Sequence, residues 1–342
     1  MATDMPSFAT PTTNRQIVLA QRPQGTPQAG DFEQREQPCP TPGEGAFLVR
    51  NLYLAADPVQ RGWAANPAVM AIGAPMRALA VGVVIESRDA SVGEGDVVYG
   101  FLGWQDYAVV TRADLLSHIP NPRAPLPAYA GVLGMPGVTA WISLHDIAPP
   151  SEGKSILVST AAGTVGSVVG QIARRRGAHV VGLTGSDDKI ARCVENYGYH
   201  AAYNYKVGDL AATLAEARPQ GFDIYFDNTG GAILDTAIRA MARFGRIIQC
   251  GTAATPSWSP PPTGLRNERE ILMRALTWTG FVIFDHVARF PEAIEQMTDM
   301  LLEGSLKHDE IVEPGLDRIV PALEALFAGT NAAKTLVYIG ED

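Results

Sequence analysis

The feature that most constrains this chain is the run from Lys154 to Arg176: an apolar β-type segment, Ser155–Ser159, a turn carrying Gly163 and Gly166, and a helical run, Val165–Arg176. A strand feeding a helix through a glycine turn, with a second strand at His179–Leu183, is the order a dinucleotide-binding βαβ unit requires. Gly163 would let backbone N–H groups approach a pyrophosphate and Gly166 would let the helix close on the sheet, while the helix N-terminus faces negative charge. Ala161 stands where the first glycine of that pattern is usual. The bland alternative is an ordinary strand-to-helix turn, and the second strand in its place argues against it. The residues expected at the phosphates are Ala162, Gly163, Thr164 and Val165.

Downstream, the strand-like runs Asp223–Phe226 and Arg246–Cys250 alternate with the helical runs Asp188–Asn196, Asp209–Ala217 and Ala232–Met241. Such alternation predicts a doubly wound parallel sheet with crossover helices. Upstream the pattern differs: Ala46–Leu54, Ala80–Glu86, Asp96–Phe101 and Asp106–Val110 are short β-type runs punctuated by Gly and Pro, which reads as a β-rich domain. At 342 residues the chain exceeds what one core holds, so two domains are expected. The predicted organisation is a flexible tail over 1–14, a substrate and catalytic domain of 15–130 with 303–342, and a nucleotide-binding domain over 131–302. The Pro-dense stretch Pro256–Gly264 must be a surface loop. The apolar run Leu276–Phe284 is expected as an edge strand, followed by helices near Pro291–Glu303 and Ile319–Ala328 and a last strand at Thr335–Ile339.

The end of the second Rossmann-type strand bears on the choice of nucleotide. An NAD site places a carboxylate there for the adenosine ribose; here the corner is Thr184, Gly185 and Ser186. That leaves room for a 2′-phosphate, and Lys189 on the next helix could supply positive charge. A solvated lysine is the rival reading of Lys189. Asp187 and Asp188 follow the corner and are expected to cap that helix. The reading is NADPH/NADP over NAD.

Composition removes several classes. A net charge of −9 opposes binding to phosphate backbones or anionic membranes. No uninterrupted apolar stretch has the length of a membrane span, since Val69–Ile85 is broken by Pro75 and Arg77. Met1–Asn14 lacks the basic cluster and apolar core of a secretory signal. Cys39, Cys193 and Cys250 are far apart and odd in number, which fits a reducing compartment and excludes a metal knuckle. The six histidines, His118, His145, His179, His200, His286 and His308, show no close pairing.

Taken together, the segments Asn51–Leu54, Asp57-Pro58 with Arg61-Gly62, Gly134–Thr139, Ala161–Gln171, Asp227–Gly231, Gly245–Gly251, Gly280–Asp285 and Gly329–Lys334 resemble the zinc-independent branch of the medium-chain dehydrogenase/reductase superfamily. The likeness is to its prostaglandin reductase, 2-alkenal reductase and curcumin reductase group, over nearly the whole chain. The resemblance implies a Rossmann domain with a GroES-like β-rich domain and a nicotinamide in the cleft between them. It implies Met135, Pro136 and Thr139 beside the nicotinamide and phosphates, Lys189 and Tyr205 on the 2′-phosphate at the corner that Gly185 and Ser186 already mark, and Asn228 on the ribose. Phe281 and Ile283 would flank the carboxamide through their backbones and Asn331 would reach the pyrophosphate; Cys250, at a strand end with Gly251 after it, reads as a small apolar wall beside the cofactor, with a nucleophile as the rival reading. Zinc-dependent relatives need a cysteine and a histidine in the β-rich domain, whereas Ala78–Gly82 carries no ligand type. No metal is expected, and hydride addition to an activated C=C bond needs only a polarised carbonyl and a proton source.

The sequence departs from the group's pattern at two tyrosines thought to orient or protonate the enolate. Val59 holds one position and Pro256 falls near the other. The remaining candidates as catalytic groups are Tyr53, Trp258 and His286, with Gln60, Trp63, Trp104 and Asn267 also near the expected pocket. Tyr53 could equally be core, Trp258 a shield of apolar surface and His286 a solvated helix-start residue. The expected activity is NADPH-dependent reduction of the C=C bond of enals and enones by a cytoplasmic homodimer acting on small molecules. The rival readings are a zinc-free quinone oxidoreductase and an NADPH-binding protein without turnover.

Overall fold

The computed structural model describes residues 11–255 and 260–340. In chain order the elements are β1 (Thr13–Leu19), β2 (Phe32–Pro38), β3 (Phe47–Ala55), α1 (Val59–Ala65), β4 (Leu79–Ser87), β5 (Val97–Phe101), β6 (Tyr107–Val110), β7 (Leu115–Ile119), α2 (Leu126–Ala130) and α3 (Met135–Ile142). Next come β8 (Ser155–Ser159), α4 (Thr164–Arg175), β9 (His179–Thr184), α5 (Asp187–Glu195), β10 (Ala201–Asn204), α6 (Leu210–Ala217), β11 (Phe222–Asp227), α7 (Gly231–Arg239) and β12 (Met241–Gln249). The last are α8 (Glu268–Arg274), β13 (Thr277–Gly280), α9 (Phe290–Leu302), β14 (Glu310–Pro314), α10 (Ile319–Ala328) and β15 (Lys334–Tyr338).

The chain divides into two compact units, one running to Gly134 and resuming at Asp309, the other spanning Met135–His308. In the first unit a seven-stranded sheet runs β14-β15-β3-β4-β5-β7, with β6 also paired to β3. Every pairing in it is antiparallel except β14 with β15. β1 and β2 form a separate antiparallel ribbon. The first turn of β1 corrects the expectation of a tail over 1–14. Thr13 already pairs with Pro38, and the buried Asn14 side chain exchanges hydrogen bonds with Tyr107, its amide donating to the carbonyl and its carbonyl accepting the N–H, both at 2.9 Å.

In the second unit six strands run β10-β9-β8-β11-β12-β13, all parallel. All five residues of β8 are buried, as a strand covered on both faces requires. Leu157 packs with Leu214, Leu234 and Ile238 from α6 and α7, and its neighbours Ile156 and Val158 point to the other face. This is the expected doubly wound sheet.

The unit boundaries fall at 134/135 and 308/309 rather than 130/131 and 302/303, for local reasons. Val132 donates its N–H to the Glu310 carboxylate at 2.9 Å, and a Cβ on Gly134 would meet the Tyr129 carbonyl and the Tyr99 hydroxyl, so 131–134 are held by the first unit. The Gln171 side chain brackets Lys307, donating to its carbonyl at 2.8 Å and accepting its N–H at 2.7 Å, which ties 303–308 to the second.

The apolar run Leu276–Phe284 does not form one strand. Only Thr277–Gly280 pairs with β12, and the chain turns into a 3₁₀ segment over Ile283–Arg289. β13 is nonetheless at the sheet's edge.

Candidate active site: a dinucleotide cradle

The Lys154–Arg176 run folds as a strand, turn and helix. Thr160 takes a left-handed conformation at φ 53°, the Gly163 N–H returns to the Thr160 carbonyl at 2.9 Å, and Gly163 then caps α4 with an extended backbone. The first intrahelical bond runs from the Ser167 N–H to the Gly163 carbonyl, so the N–H groups of the turn before it point out at the carboxyl end of the sheet. Gly166 is there because nothing larger fits: a Cβ would lie 2.3 Å from the Thr160 carbonyl and 2.9 Å from the Ala161 Cα. Ala161 is fully buried, with its N–H bonded to the Leu183 carbonyl. Ala162, Gly163, Thr164 and Val165 are all partly exposed, as a surface presented to a ligand must be.

Strand order explains where that turn opens. β8 leads to β9 on one side and, after β10, the chain crosses to β11 on the other, so β8 and β11 flank the topological switch point where open α/β sheets bind ligands. Asn228 sits there, immediately after β11. Its amide NH₂ donates to the Ser159 carbonyl at 2.7 Å, an acceptor that fixes which end of the side chain faces it. The Asn228 carbonyl oxygen is therefore turned the other way. Thr160 and Thr229 pair their hydroxyls at 3.2 Å across the same gap. Gly251 completes it, since a Cβ there would lie 2.7 Å from the Asn228 carbonyl.

Beneath this rim, Asp227 is fully buried and accepts from the Tyr225 hydroxyl at 2.8 Å, the Ser159 hydroxyl at 3.1 Å, the Thr229 N–H at 2.9 Å and the Gly230 N–H at 3.0 Å. Burial and this carboxylate push the Cys250 thiol up to about 12, which argues against a nucleophile at neutral pH.

The corner after β9 brings together Gly185, Tyr205 and one residue that the sequence reading did not name, Lys206. Tyr205 follows β10 and donates its N–H to the Thr184 carbonyl at 3.1 Å. A Cβ placed on Gly185 would find the Tyr205 hydroxyl at 3.2 Å and the Lys206 ammonium at 3.3 Å. Lys206 is exposed and leans over the Tyr205 ring. The two acidic residues of the corner are engaged elsewhere: Asp187 accepts from the Asn204 amide at 3.3 Å, and the Ser186 hydroxyl holds the Asp188 carboxyl below its ordinary range. Lys206 was not singled out from the sequence, although it adjoins Tyr205; the β10 strand that delivers it is only four residues long and carries no clear alternation. Lys189 lies on the first turn of α5, which Ser186 precedes.

Met135, Pro136 and Thr139 occupy buried positions of α3, where the Thr139 hydroxyl is spent on the Met135 carbonyl at 2.7 Å. Phe281 and Ile283 flank the exposed Val282, and Phe281 meets the His286 ring edge-on at 6.2 Å. His286 has non-helical dihedrals within its 3₁₀ segment. Tyr53 and Asn331 belong to the first unit. Tyr53 sits in β3 opposite Tyr338 of β15, their rings 5.1 Å apart, and burial together with Tyr338 pushes its phenol up, which makes it a poorer proton donor than a free tyrosine. Asn331 donates its amide to the Ala333 carbonyl at 3.1 Å. Trp258, like Pro256, lies outside the described residues.

Among the described residues no group of three or more His, Cys, Asp or Glu side chains is placed to hold a metal ion, and no helix is long and apolar enough to cross a membrane.

Two family models match the chain: an N-terminal domain of oxidoreductase over residues 15–117 and a zinc-binding dehydrogenase domain over 164–299. The Bacillus subtilis protein YfmJ is 37% identical over 335 residues, covering 96% of this chain and 98% of its own. A 2-alkenal reductase (NADP⁺-dependent) from Nicotiana tabacum is 33% identical, covering 98% of this chain and 100% of its own. The crystal structure of CurA from Vibrio vulnificus in complex with NADPH superposes with a TM-score of 0.87 at 32% identity, covering 96% of this chain and 100% of that one. The chain belongs to the zinc-independent branch of the medium-chain dehydrogenase/reductase family. Membership accounts for the presence of a parallel-sheet unit and an antiparallel-sheet unit in one chain.

Proposed function

We propose that this dehydrogenase/reductase is a cytoplasmic homodimer that reduces the C=C bond of enals and enones with NADPH. The observation that carries the cofactor half of this reading is the Gly185 corner, where a tyrosine hydroxyl and a lysine ammonium converge and both nearby carboxylates are tied to other partners. A 2′-phosphate fits such a corner because it needs a cation and a hydroxyl donor, and a facing carboxylate would repel it. NADPH bound there supplies a hydride. The residues of the α4 turn would bind its pyrophosphate through N–H groups, and the outward carbonyl of Asn228 would accept from a ribose hydroxyl.

The substrate half rests on the named activity of the tobacco relative, a 2-alkenal reductase, together with the chemistry left to the chain. Hydride addition at the β-carbon of an unsaturated carbonyl leaves an enolate, which takes a proton at the α-carbon. Val59 carries no polar atom, Tyr53 is an elevated phenol packed on Tyr338, and Thr139 has spent its hydroxyl on the backbone. The proton source in this reading is solvent water or the ribose 2′-hydroxyl of the cofactor, with His286 as the side-chain rival.

The cytoplasmic and dimeric parts rest on separate grounds: Cys39, Cys193 and Cys250 are all free thiols, and β13 is an edge strand with no outer partner among the described residues, carrying the exposed Trp278. Initial rates of NADPH and NADH consumption with an enal, an enone and a quinone test the reading. Enal- and enone-dependent oxidation of NADPH, at least about tenfold preferred over NADH, is expected. Turnover of the quinone alone would replace the ene-reductase assignment with a quinone reductase, and no substrate-dependent turnover would leave a binding protein.

A further inference from the structure

One cavity of the second unit lies apart from the dinucleotide turn. It encloses about 460 Å³, within the range of small-molecule sites, and is lined by the C-terminal ends of α3, α4 and α9. α4 has its first turn at the phosphate cradle and its last turn at this cavity, and its twelve residues put about 18 Å between the two.

The aromatic wall of the cavity comes from the end of α3. The helix runs on into a single π-helical turn, Ser143–Ile147, which carries His145. The His145 and Trp141 rings stack with centroids 3.9 Å apart and planes 17° from parallel. His145 Nδ1 lies 2.7 Å from the Trp141 carbonyl, which can only accept, so Nδ1 carries the proton and Nε2 of the neutral ring is an acceptor. The Trp141 indole donates to the Gln296 side-chain carbonyl at 3.2 Å, which ties the wall to α9. Ile172 and Met300 supply the apolar remainder.

The charges are sorted by helix. Arg175 and Arg176 come from the end of α4, Asp299 and Glu303 from the end of α9. Arg175 meets Glu303 at 3.3 Å and the Ser305 hydroxyl at 2.7 Å. Arg176 is half-buried; it donates to the Leu144 carbonyl and, among the described residues, forms no ion pair. A guanidinium carries five donors, so one carbonyl leaves most of them unused. Asp299 stands one turn before Glu303, which puts two carboxylates on the α9 side, each with lone pairs for more than one donor. With the imidazole neutral, two cations and two carboxylates give the lining no net charge, yet the signs sit on separate helices. A ligand that is only an anion gains Arg176 and is opposed by Asp299 and Glu303. A ligand that carries both charges is matched at both ends.

We propose that this cavity is a second ligand site, for a free amino acid with an apolar side chain. The carboxylate takes the open donors of Arg176, the ammonium takes the carboxylates of α9, and the side chain lies against Trp141, Ile172 and Met300. The proposal goes beyond the reductase reading and does not rest on it.

Calorimetric titration of the full chain, with excess NADPH present to keep the nucleotide site filled, tests this with three probes: L-phenylalanine, 3-phenylpropanoate and 2-phenylethylamine. The three share a ring and differ in which charges they carry. Phenylalanine is expected to bind at least about tenfold more tightly than either relative, since each lacks one charge-assisted contact. Arg176→Gln should bring phenylalanine down to the level of phenylethylamine, and Asp299→Asn should bring it toward that of phenylpropanoate. No binding of phenylalanine up to about 10 mM overturns the proposal, as does equal binding of the three probes or a phenylalanine affinity that neither variant changes. Binding of 3-phenylpropanoate as tight as that of phenylalanine also overturns it and leaves an anion site. Should Arg176→Gln fail to fold for want of its bond to the Leu144 carbonyl, the wild-type comparison of probes and Asp299→Asn decide by themselves.

Discussion

The Asp227 carboxylate accepts the side-chain amide of Gln249 at 2.7 Å, and that same amide nitrogen lies 2.7 Å from the Gly251 carbonyl. The other end of Gln249 accepts the indole N–H of Trp278 at 3.1 Å. One side chain thus links the edge strand β13, the Cys250–Gly251 rim and the buried carboxylate that fixes the N–H groups of Thr229 and Gly230 beside Asn228. Replacing Asp227 by Asn halves its accepting capacity while leaving the donors in place, and each buried donor left alone costs about 1–3 kcal/mol. Asp227→Asn should lower the unfolding midpoint and weaken NADPH binding by at least about tenfold, the scale of one such bond. Unchanged affinity in fluorescence titration would show that the rim is held without it.

Lys206 tests the nucleotide corner. If its ammonium meets a 2′-phosphate, Lys206→Ala should raise KM for NADPH and leave KM for NADH nearly as it was, cutting the preference by about 10- to 100-fold. Tyr205→Phe should act in the same direction and less strongly, since a neutral hydroxyl is the weaker donor to an anion. Equal effects on both nucleotides would move the phosphate site elsewhere, toward Lys189.

How much of this was legible beforehand follows from what each signal depends on. The βαβ turn was readable because Gly163 and Gly166 answer local needs: one caps a helix, the other meets the backbone of residues 160 and 161. The Thr184–Ser186 corner was readable for the same reason. Lys206 was not, because a four-residue strand with mixed burial leaves no period to detect, and only the parallel register Asn204 with Thr184 brings it to Gly185. The apolar run Leu276–Phe284 promised a long strand, but hydrophobicity alone does not fix length, and pairing with β12 ends at Gly280. The first two residues of β1, Thr13 and Asn14, fell in the supposed tail because they are polar: Asn14 is buried by two hydrogen bonds to a strand about ninety residues away.

The open edge of β13 carries the dimer prediction. Trp278 is 42% exposed and Leu272, on α8 just before β13 in the chain, 76% exposed, with Phe244, Met273 and Val282 also at the surface. A strand edge with apolar neighbours is a template for pairing across a two-fold axis. Sedimentation velocity should show a dimer, and Trp278→Glu, which sets like charges near each other at such an axis, should shift it to monomer. A wild type that sediments as a monomer at tens of micromolar would remove the homodimer.

Three histidines of the second unit set a pH dependence. Burial lowers the pKa of His145, His179 and His200 below the ordinary 6.5. His145 stacks on Trp141 at 3.9 Å, and His179 and His200 lie 4.3 Å apart near Arg174 and Arg218, whose charges add to the lowering. Between the folded and unfolded pKa values the unfolded chain binds more protons, so stability rises with pH there. The stabilisation is complete above the unfolded pKa and is lost as pH falls through the folded ones. Unfolding midpoints should therefore decline from pH 7 toward pH 5, and His145→Gln should flatten the decline. A midpoint that rises over this range would contradict the burial of these rings.

Gly170 gives the clearest sign reversal. In the middle of α4 its backbone is ordinary helix, and glycine there costs about 1 kcal/mol relative to alanine, so Gly170→Ala in an open helix would stabilise. Here the Tyr199 ring fills the space: a Cβ would stand 2.1 Å from its Cε2. The ring is held on both sides: its opposite edge lies against Gly182, where a Cβ would stand 3.0 Å from Cδ1 and Cε1, and its hydroxyl donates to the Gly166 carbonyl at 2.6 Å. The residue is buried and packed between α4 and β9, the two elements that aim the phosphate turn. Overpacking of this kind costs about 1–3 kcal/mol, which outweighs the propensity gain. Gly170→Ala should lower the unfolding midpoint, and Gly170→Ala with Tyr199→Leu should recover much of it while weakening NADPH binding, because the Gly166 carbonyl loses its donor. If Gly170→Ala alone raises the midpoint, Tyr199 is not wedged as described.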